Sequence, residues 1–151
     1  MDLKFDADAV RVEVRRILKP GGCCALIWNE RQADTSPFAR AYEDFLLEWG
    51  VDYERVKASY ENRMQIAKVL GSKYVTRSFP HAQAMGLQTF RTRTQSASYV
   101  PRAETARGQA MMRVLDELFA RFEEKGFVRF DYLANLYCAR VGSTENAGCH
   151  A

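Results

Sequence analysis

Apolar residues in the first part of the chain recur with a helical period. Val10, Val14, Ile17 and Leu18 fall at i, i+4, i+7 and i+8, while Arg11, Glu13, Arg15 and Arg16 take the other positions. The spacing predicts a helix over 7–18, with Asp6 or Asp8 as N-cap at its positive end. Pro20 cannot continue that helix, and Gly21-Gly22 permit a sharp reversal. "CCALIW" (23–28) then runs without alternation or charge, the pattern of a strand covered on both faces. Over 36–49 the signals are a Ser36 N-cap, Pro37 at the first helical position and Gly50 past the end. Phe38, Tyr42, Phe45, Leu46 and Trp49 make one apolar stripe on this second helix.

Residues 53–70 read as a further helical region, with Val56, Tyr60, Ile66, Ala67 and Leu70 apolar and Gly71 at its end. "KYVTRSF" (73–79) has strand composition and is closed by Pro80. Leu87, Phe90 and Thr94 fit a short helix within 84–98, against its Thr and Ser content. From 105 to 125 a long amphipathic helix is marked by Ala110, Met111, Val114, Leu115, Leu118, Phe119 and Phe122, stopping at Gly126. "FVRFDYLANLYCARV" alternates as a strand with Val128, Phe130, Tyr132, Ala134, Leu136 and Cys138 on one face. The expected organisation is one domain over 1–141 and a polar, disordered tail over 142–151.

Composition narrows the function classes. A net charge of +3 with both signs interspersed gives no nucleic-acid footprint, so a nucleic-acid partner is not expected. No run approaches the ~18 apolar residues of a membrane span, and "MDLKFDAD" lacks a signal-peptide core. Cys23, Cys24, Cys138 and Cys149 form no CxxC pair and no metal-ligand spacing with His. The reading is a reduced, cytoplasmic protein without a metal site.

The helix–turn–strand stretch "EVRRILKPGGCCALIWNE" resembles the step into the fifth strand of class I S-adenosylmethionine-dependent methyltransferases, of the methyltransferase type 11-like kind. "KFD" (4–6), "SASYVP" (96–101), the Leu- and Phe-rich helix after it, and "KGFVRFDYLANLYCAR" resemble the carboxy-terminal half of one subgroup, in the same order. The resemblance runs from about Phe5 to Val141. It implies an α/β fold: a truncated Rossmann-like methyltransferase sheet of about three strands, flanked by helices. In that arrangement the last strand lies antiparallel between the strands of "CCALIW" and "KYVTRSF".

The same resemblance implies what is absent. In the family a Gly-rich turn and a ribose-binding acid in the first half of the fold hold the cofactor; this sequence contains no GxGxG. No cofactor-binding residue is therefore assigned. S-adenosylmethionine, the cofactor of the full-length family, is not expected to bind the isolated chain, and a methyltransferase-like protein inactive by itself is the expectation. The alternative is a non-catalytic, homo-oligomeric small-molecule-binding or interaction module. A homodimer is expected on either reading, either by strand pairing at the uncovered edge of "CCALIW" or, preferred, by exchange of the helices over 36–49 and 53–70, with Phe38, Phe45, Leu46 and Trp49 as contributors.

Asn29, Glu30 and Arg31 follow the strand's carboxy end, where open α/β sheets place ligands; Asn29 and Glu30 could equally cap or bridge to the next helix. Ser98 and Tyr99, with Ser96, are substrate-lining candidates by the resemblance, against a reading as local turn bonds before Pro101. His81 reads as a surface-loop histidine, and Arg91 and Arg93 as anion-gripping candidates or an exposed face. No catalytic residue is assigned: no Ser-His-Asp order, HExxH or P-loop occurs.

Overall fold

The computed structural model describes residues 6–60 and 64–140. The chain runs α1 (Ala7–Ile17), β1 (Cys23–Arg31), α2 (Pro37–Trp49), α3 (Tyr53–Tyr60), α4 (Met64–Leu70), β2 (Val75–Met85), α5 (Leu87–Gln95), α6 (Ala106–Phe122) and β3 (Val128–Arg140). Capping follows the sequence signals. Asp6 accepts from the amides of Asp8 and Ala9, at 2.9 and 3.3 Å, and Ser36 accepts from Ala39 N at 3.0 Å. Thr105 does the same for Gly108 N at 3.0 Å, each side chain satisfying a first-turn donor left orphaned by the helix. The expected tail over 142–151 lies outside the described residues.

The sheet is three-stranded, in the order β1-β3-β2. From β1 to β3, Trp28 stacks on Tyr137 and Gln32 N donates to Asp131 O at 2.9 Å, so the two strands count in opposite directions. From β2 to β3, Ser78 bonds Asn135 and His81 stacks on Tyr132, again antiparallel. The α/β class, the pairing partners and the antiparallel central strand are those expected.

Two compact units share these strands. One takes in the described residues of 1–30, 58–79 and 133–151; the other takes in Arg31–Lys57 and Pro80–Tyr132. In the first unit α1 packs on α4, and Ala7, Ile66, Val69, Leu70, Tyr137 and Ala139 form the core. In the second, α6 packs on both α2 and α5 over an aromatic core that includes Phe38, Tyr42, Phe90, Phe119 and Phe130. Phe38 alone makes ring contacts with Tyr42, Phe90, Phe122 and Phe130 at centroid distances of 5.0–6.1 Å. Such pairs add to simple burial because ring edges meet ring faces.

Several expectations are corrected. β1 is not covered on both faces: Cys23, Ala25 and Ile27 are exposed, Ile27 at 67%, while Cys24, Leu26 and Trp28 pack on the first core. It is an edge strand with one packed face, and an apolar run does not by itself distinguish that from a buried strand. The α2 stripe is not available to a dimer either, because Phe38, Phe45 and Leu46 lie inside the second core. Pro80 does not close β2, which continues to Met85. β2 is an edge strand too, where a missing N–H can face away from the partner.

α6 ends at Phe122, short of Gly126. Glu124 and Phe127 bridge across Lys125 (φ 55°) and Gly126 (φ 84°), a two-residue type I′ turn that leads into β3. Along β3 the buried parity changes. Val128, Phe130 and Tyr132 are buried in the second unit, but Asn135, Tyr137 and Ala139 in the first, so Ala134, Leu136 and Cys138 are only half-buried.

Candidate functional site

Arg31 is the last residue of β1 and the first of the second unit. Its side chain is 15% exposed and points among residues of α2 and α3. Nη2 donates to Glu43 Oε2 in a very short ion pair, and to Tyr53 Oη at 2.9 Å. Tyr53 in turn donates to the same Glu43 oxygen at 2.8 Å, and Lys57 Nζ lies 2.8 Å from Oε1. The guanidinium also sits over the Tyr42 ring, 5.0 Å from its centroid, a cation–π contact. Tyr99 packs its ring 5.0 Å from that of Tyr53.

Helix geometry brings Glu43 there. Ala39, Tyr42, Glu43 and Leu46 fall at i, i+3, i+4 and i+7, so the carboxylate lies on the buried face of α2. Burial alone would raise its pKa, but the bonds from Lys57, Tyr53 and Arg31 outweigh burial and hold it below the ordinary carboxylate range. Burial likewise works against the Arg31 charge. Tyr53 and Glu43 more than compensate, and its pKa stands above the ordinary value. The Tyr53 hydroxyl is pushed up by burial, with Arg31 opposing and Glu43 adding, so it remains a protonated donor.

A second group adjoins through Tyr132 on β3. This tyrosine is 3% exposed, and its buried hydroxyl has no hydrogen-bond partner. Arg93 places its guanidinium 5.3 Å from the ring centroid, and His81 stacks on the same ring at 5.2 Å. Burial raises the Tyr132 pKa while the positive charges of Arg93 and Arg31 oppose, with Arg93 the larger. Tyr42 is accounted for differently. Thr94 Oγ1 donates to Phe90 O at 3.0 Å and has one proton, so at 3.0 Å from Tyr42 Oη it must accept.

The guanidinium of Arg31 is only half used. Nη1 is buried with no partner, like the Tyr132 hydroxyl. The unit thus holds two desolvated donors, a charged one on Arg31 beside the Glu43 carboxylate and a neutral one on Tyr132. Such an arrangement can bind and orient a ligand oxygen. Glu43, held in its ion pairs with Arg31 and Lys57, is not placed to remove a proton from such a ligand.

The sequence candidates separate. Arg31 and Tyr99 come together around Tyr53. Glu30 belongs to the first unit, where it accepts from Asn135 Nδ2 at 2.9 Å, while Asn135 Oδ1 accepts from Ser78 at 2.6 Å. Those two bonds join three strands, so Glu30 ties β1 to the sheet and not to the next helix. Asn29 and Ser98 are exposed, and Ser96 makes the local bond to Arg93 O at 2.7 Å. Arg91 is held by Asp116 in a two-bond pair at 2.7 and 2.5 Å. His81 is not in a loop but half-buried within β2.

Glu43, Tyr53, Lys57 and Tyr132 were not legible as site residues. The usable signal was Glu43, an acid on the apolar face of α2, which requires a buried cation nearby. Among the described residues no cluster of His, Cys, Asp or Glu could hold a metal ion, and no helix is long and apolar enough to cross a membrane. No protein-family model matches the chain, and no curated protein matches it.

Proposed function

We propose that this chain forms the acceptor-side half of a class I S-adenosylmethionine-dependent methyltransferase-like fold, and that it neither holds the cofactor nor transfers methyl by itself. The observation that supports this reading is the sheet. A helix ending in Lys-Pro-Gly-Gly leads into β1, and the last strand of the chain inserts antiparallel between β1 and β2. The candidate cluster begins at the last residue of β1, the end at which open α/β sheets place ligands. Catalysis in such a site is mainly positioning of an acceptor against the methyl group, and a cluster rich in hydrogen-bond donors suits positioning.

The cofactor's ribose and adenine would lack a Gly-rich turn and an acid in this sequence, so most of their binding energy is missing. Calorimetry with S-adenosylmethionine should give no binding in the micromolar range, about −8 kcal/mol; binding of that strength by the chain alone would overturn the proposal. Cys23, Cys24 and Cys138 are not in disulfides, which suits a reducing compartment, and we propose a cytoplasmic location.

A second reading, a homodimer built on β1, is favoured by one observation. Cys23, Ala25 and Ile27 form an exposed, uncharged edge-strand face without proline. Edges of that kind promote strand pairing unless they are blunted or covered.

A further inference from the structure

We propose that the second unit carries a binding site for the carboxylate group of a small molecule, with Arg31 Nη1 and Tyr132 Oη as its donors. Both atoms are buried and neither has a partner, and Tyr132 as a residue is only 3% exposed. Leaving a buried hydroxyl or guanidinium N–H unpaired is costly, and native structures rarely tolerate it. Arg31 cannot discard its proton to escape the cost, and the Tyr132 hydroxyl keeps its own because burial raises its pKa.

The charge balance points to an anion. Arg31 and Lys57 face one carboxylate, Glu43, leaving the group one positive charge in excess. Arg93, over the Tyr132 ring, adds another. Nη1 brings two N–H groups and Tyr132 one O–H, and because both atoms are enclosed the smaller, planar carboxylate fits them better than a tetrahedral phosphate. An open groove of about 370 Å³ lies along α5, lined by Gln88, Thr89, Thr92, Arg93 and Ser96. Arg93 is common to this wall and to the Tyr132 ring; Arg31 and Tyr132 do not line the groove, so a ligand lying there reaches the buried donors only when the Arg93 side chain moves aside.

The site gives a chemical class to the acceptor of the proposed methyltransferase-like half, and it rests on that reading only for the meaning of its ligand. No cofactor enters its test, so the two can fail separately. The full chain is titrated with sodium acetate at constant ionic strength, with chloride and inorganic phosphate as controls, and followed by thermal melting and calorimetry.

Acetate should stabilise the protein with a saturable, millimolar dependence that chloride does not reproduce. Tyr132→Phe removes only an unpartnered hydroxyl, so the variant should fold as well as the parent and bind acetate about tenfold or more weakly, the loss expected of a bond to a charged acceptor. Arg31→Lys keeps the charge but not Nη1 and should weaken binding as well. Acetate behaving like chloride, or Tyr132→Phe binding acetate as the parent does, would overturn the site. Phosphate binding tighter than acetate would overturn the carboxylate assignment.

Discussion

Replacing Glu43 with glutamine keeps the shape of the side chain and removes its charge. Arg31 then remains 15% exposed with its main counter-ion gone. At an effective dielectric of about 20, opposite charges ~4 Å apart attract by roughly 4 kcal/mol, and breaking a buried pair by deleting one partner costs about 3–5 kcal/mol. The glutamine oxygen can still accept from Tyr53, and Lys57 is 47% exposed, so its share is screened by solvent. These offsets place the expected loss near ~3 kcal/mol.

Urea unfolding in a Trp28→Phe background makes Trp49 fluorescence the reporter of the second unit. With a slope of ~2 kcal/mol/M, the midpoint should fall by about 1.5 M. Acid supplies an independent check. The folded pKa of Glu43 lies below its unfolded value, so its stabilisation is full above the ordinary carboxylate range and is lost as pH falls through the folded pKa. The parent should therefore lose more stability than Glu43→Gln as pH falls below the ordinary carboxylate range, and their curves should converge once Glu43 is protonated in the folded state. A double variant, Arg31→Met with Glu43→Leu, removes both charges and should return to within ~1 kcal/mol of the parent. A Glu43→Gln midpoint within experimental error of the parent would refute the reasoning, because Arg31 would then not depend on that carboxylate.

Lys125 adopts φ 55° before Gly126 in the turn between α6 and β3. Lys125→Asn, which tolerates that region and forms the favoured Asn-Gly pair, should raise stability by about 0.5 kcal/mol in thermal melting. The exposed face of β1 should pair two copies. Sedimentation at micromolar concentration is expected to show a dimer that Ile27→Lys converts to monomer, and a parent that stays monomeric would exclude that interface.

Much of the fold could be read from local signals. Asp6, Ser36 and Thr105 cap helices because their side chains satisfy adjacent amides, a relation contained within four residues of sequence. The sheet order came instead from resemblance, since no local pattern reports which strands pair. What failed depends on neighbours. "CCALIW" has the composition of a doubly covered strand, yet coverage is a property of the partners, and Ile27 lies open. Pro80 reads as a terminator unless the strand is known to be an edge. The change of buried parity along β3 follows from which helices pack near each end, so period-2 alternation alone placed Ala134, Leu136 and Cys138 on the wrong side of the count.

Of the site, Arg31, Tyr99 and Arg93 were legible. Arg31 stood out by following a strand end, but its partners are 11, 12 and 22 residues away at Tyr42, Glu43 and Tyr53, brought to it by helix faces that only the fold supplies. Tyr132 in particular has the appearance of a core aromatic, and only its unpartnered hydroxyl distinguishes it.

The acceptor-side reading is tested most directly by calorimetric titration with S-adenosylmethionine of two proteins: the chain alone, and the chain with the Gly-rich half of a class I methyltransferase fused ahead of Asp6. The account predicts no micromolar binding to the chain alone and micromolar binding to the fusion. Micromolar binding to the chain alone would contradict it, since the cofactor would then have a site within residues assigned to the acceptor side.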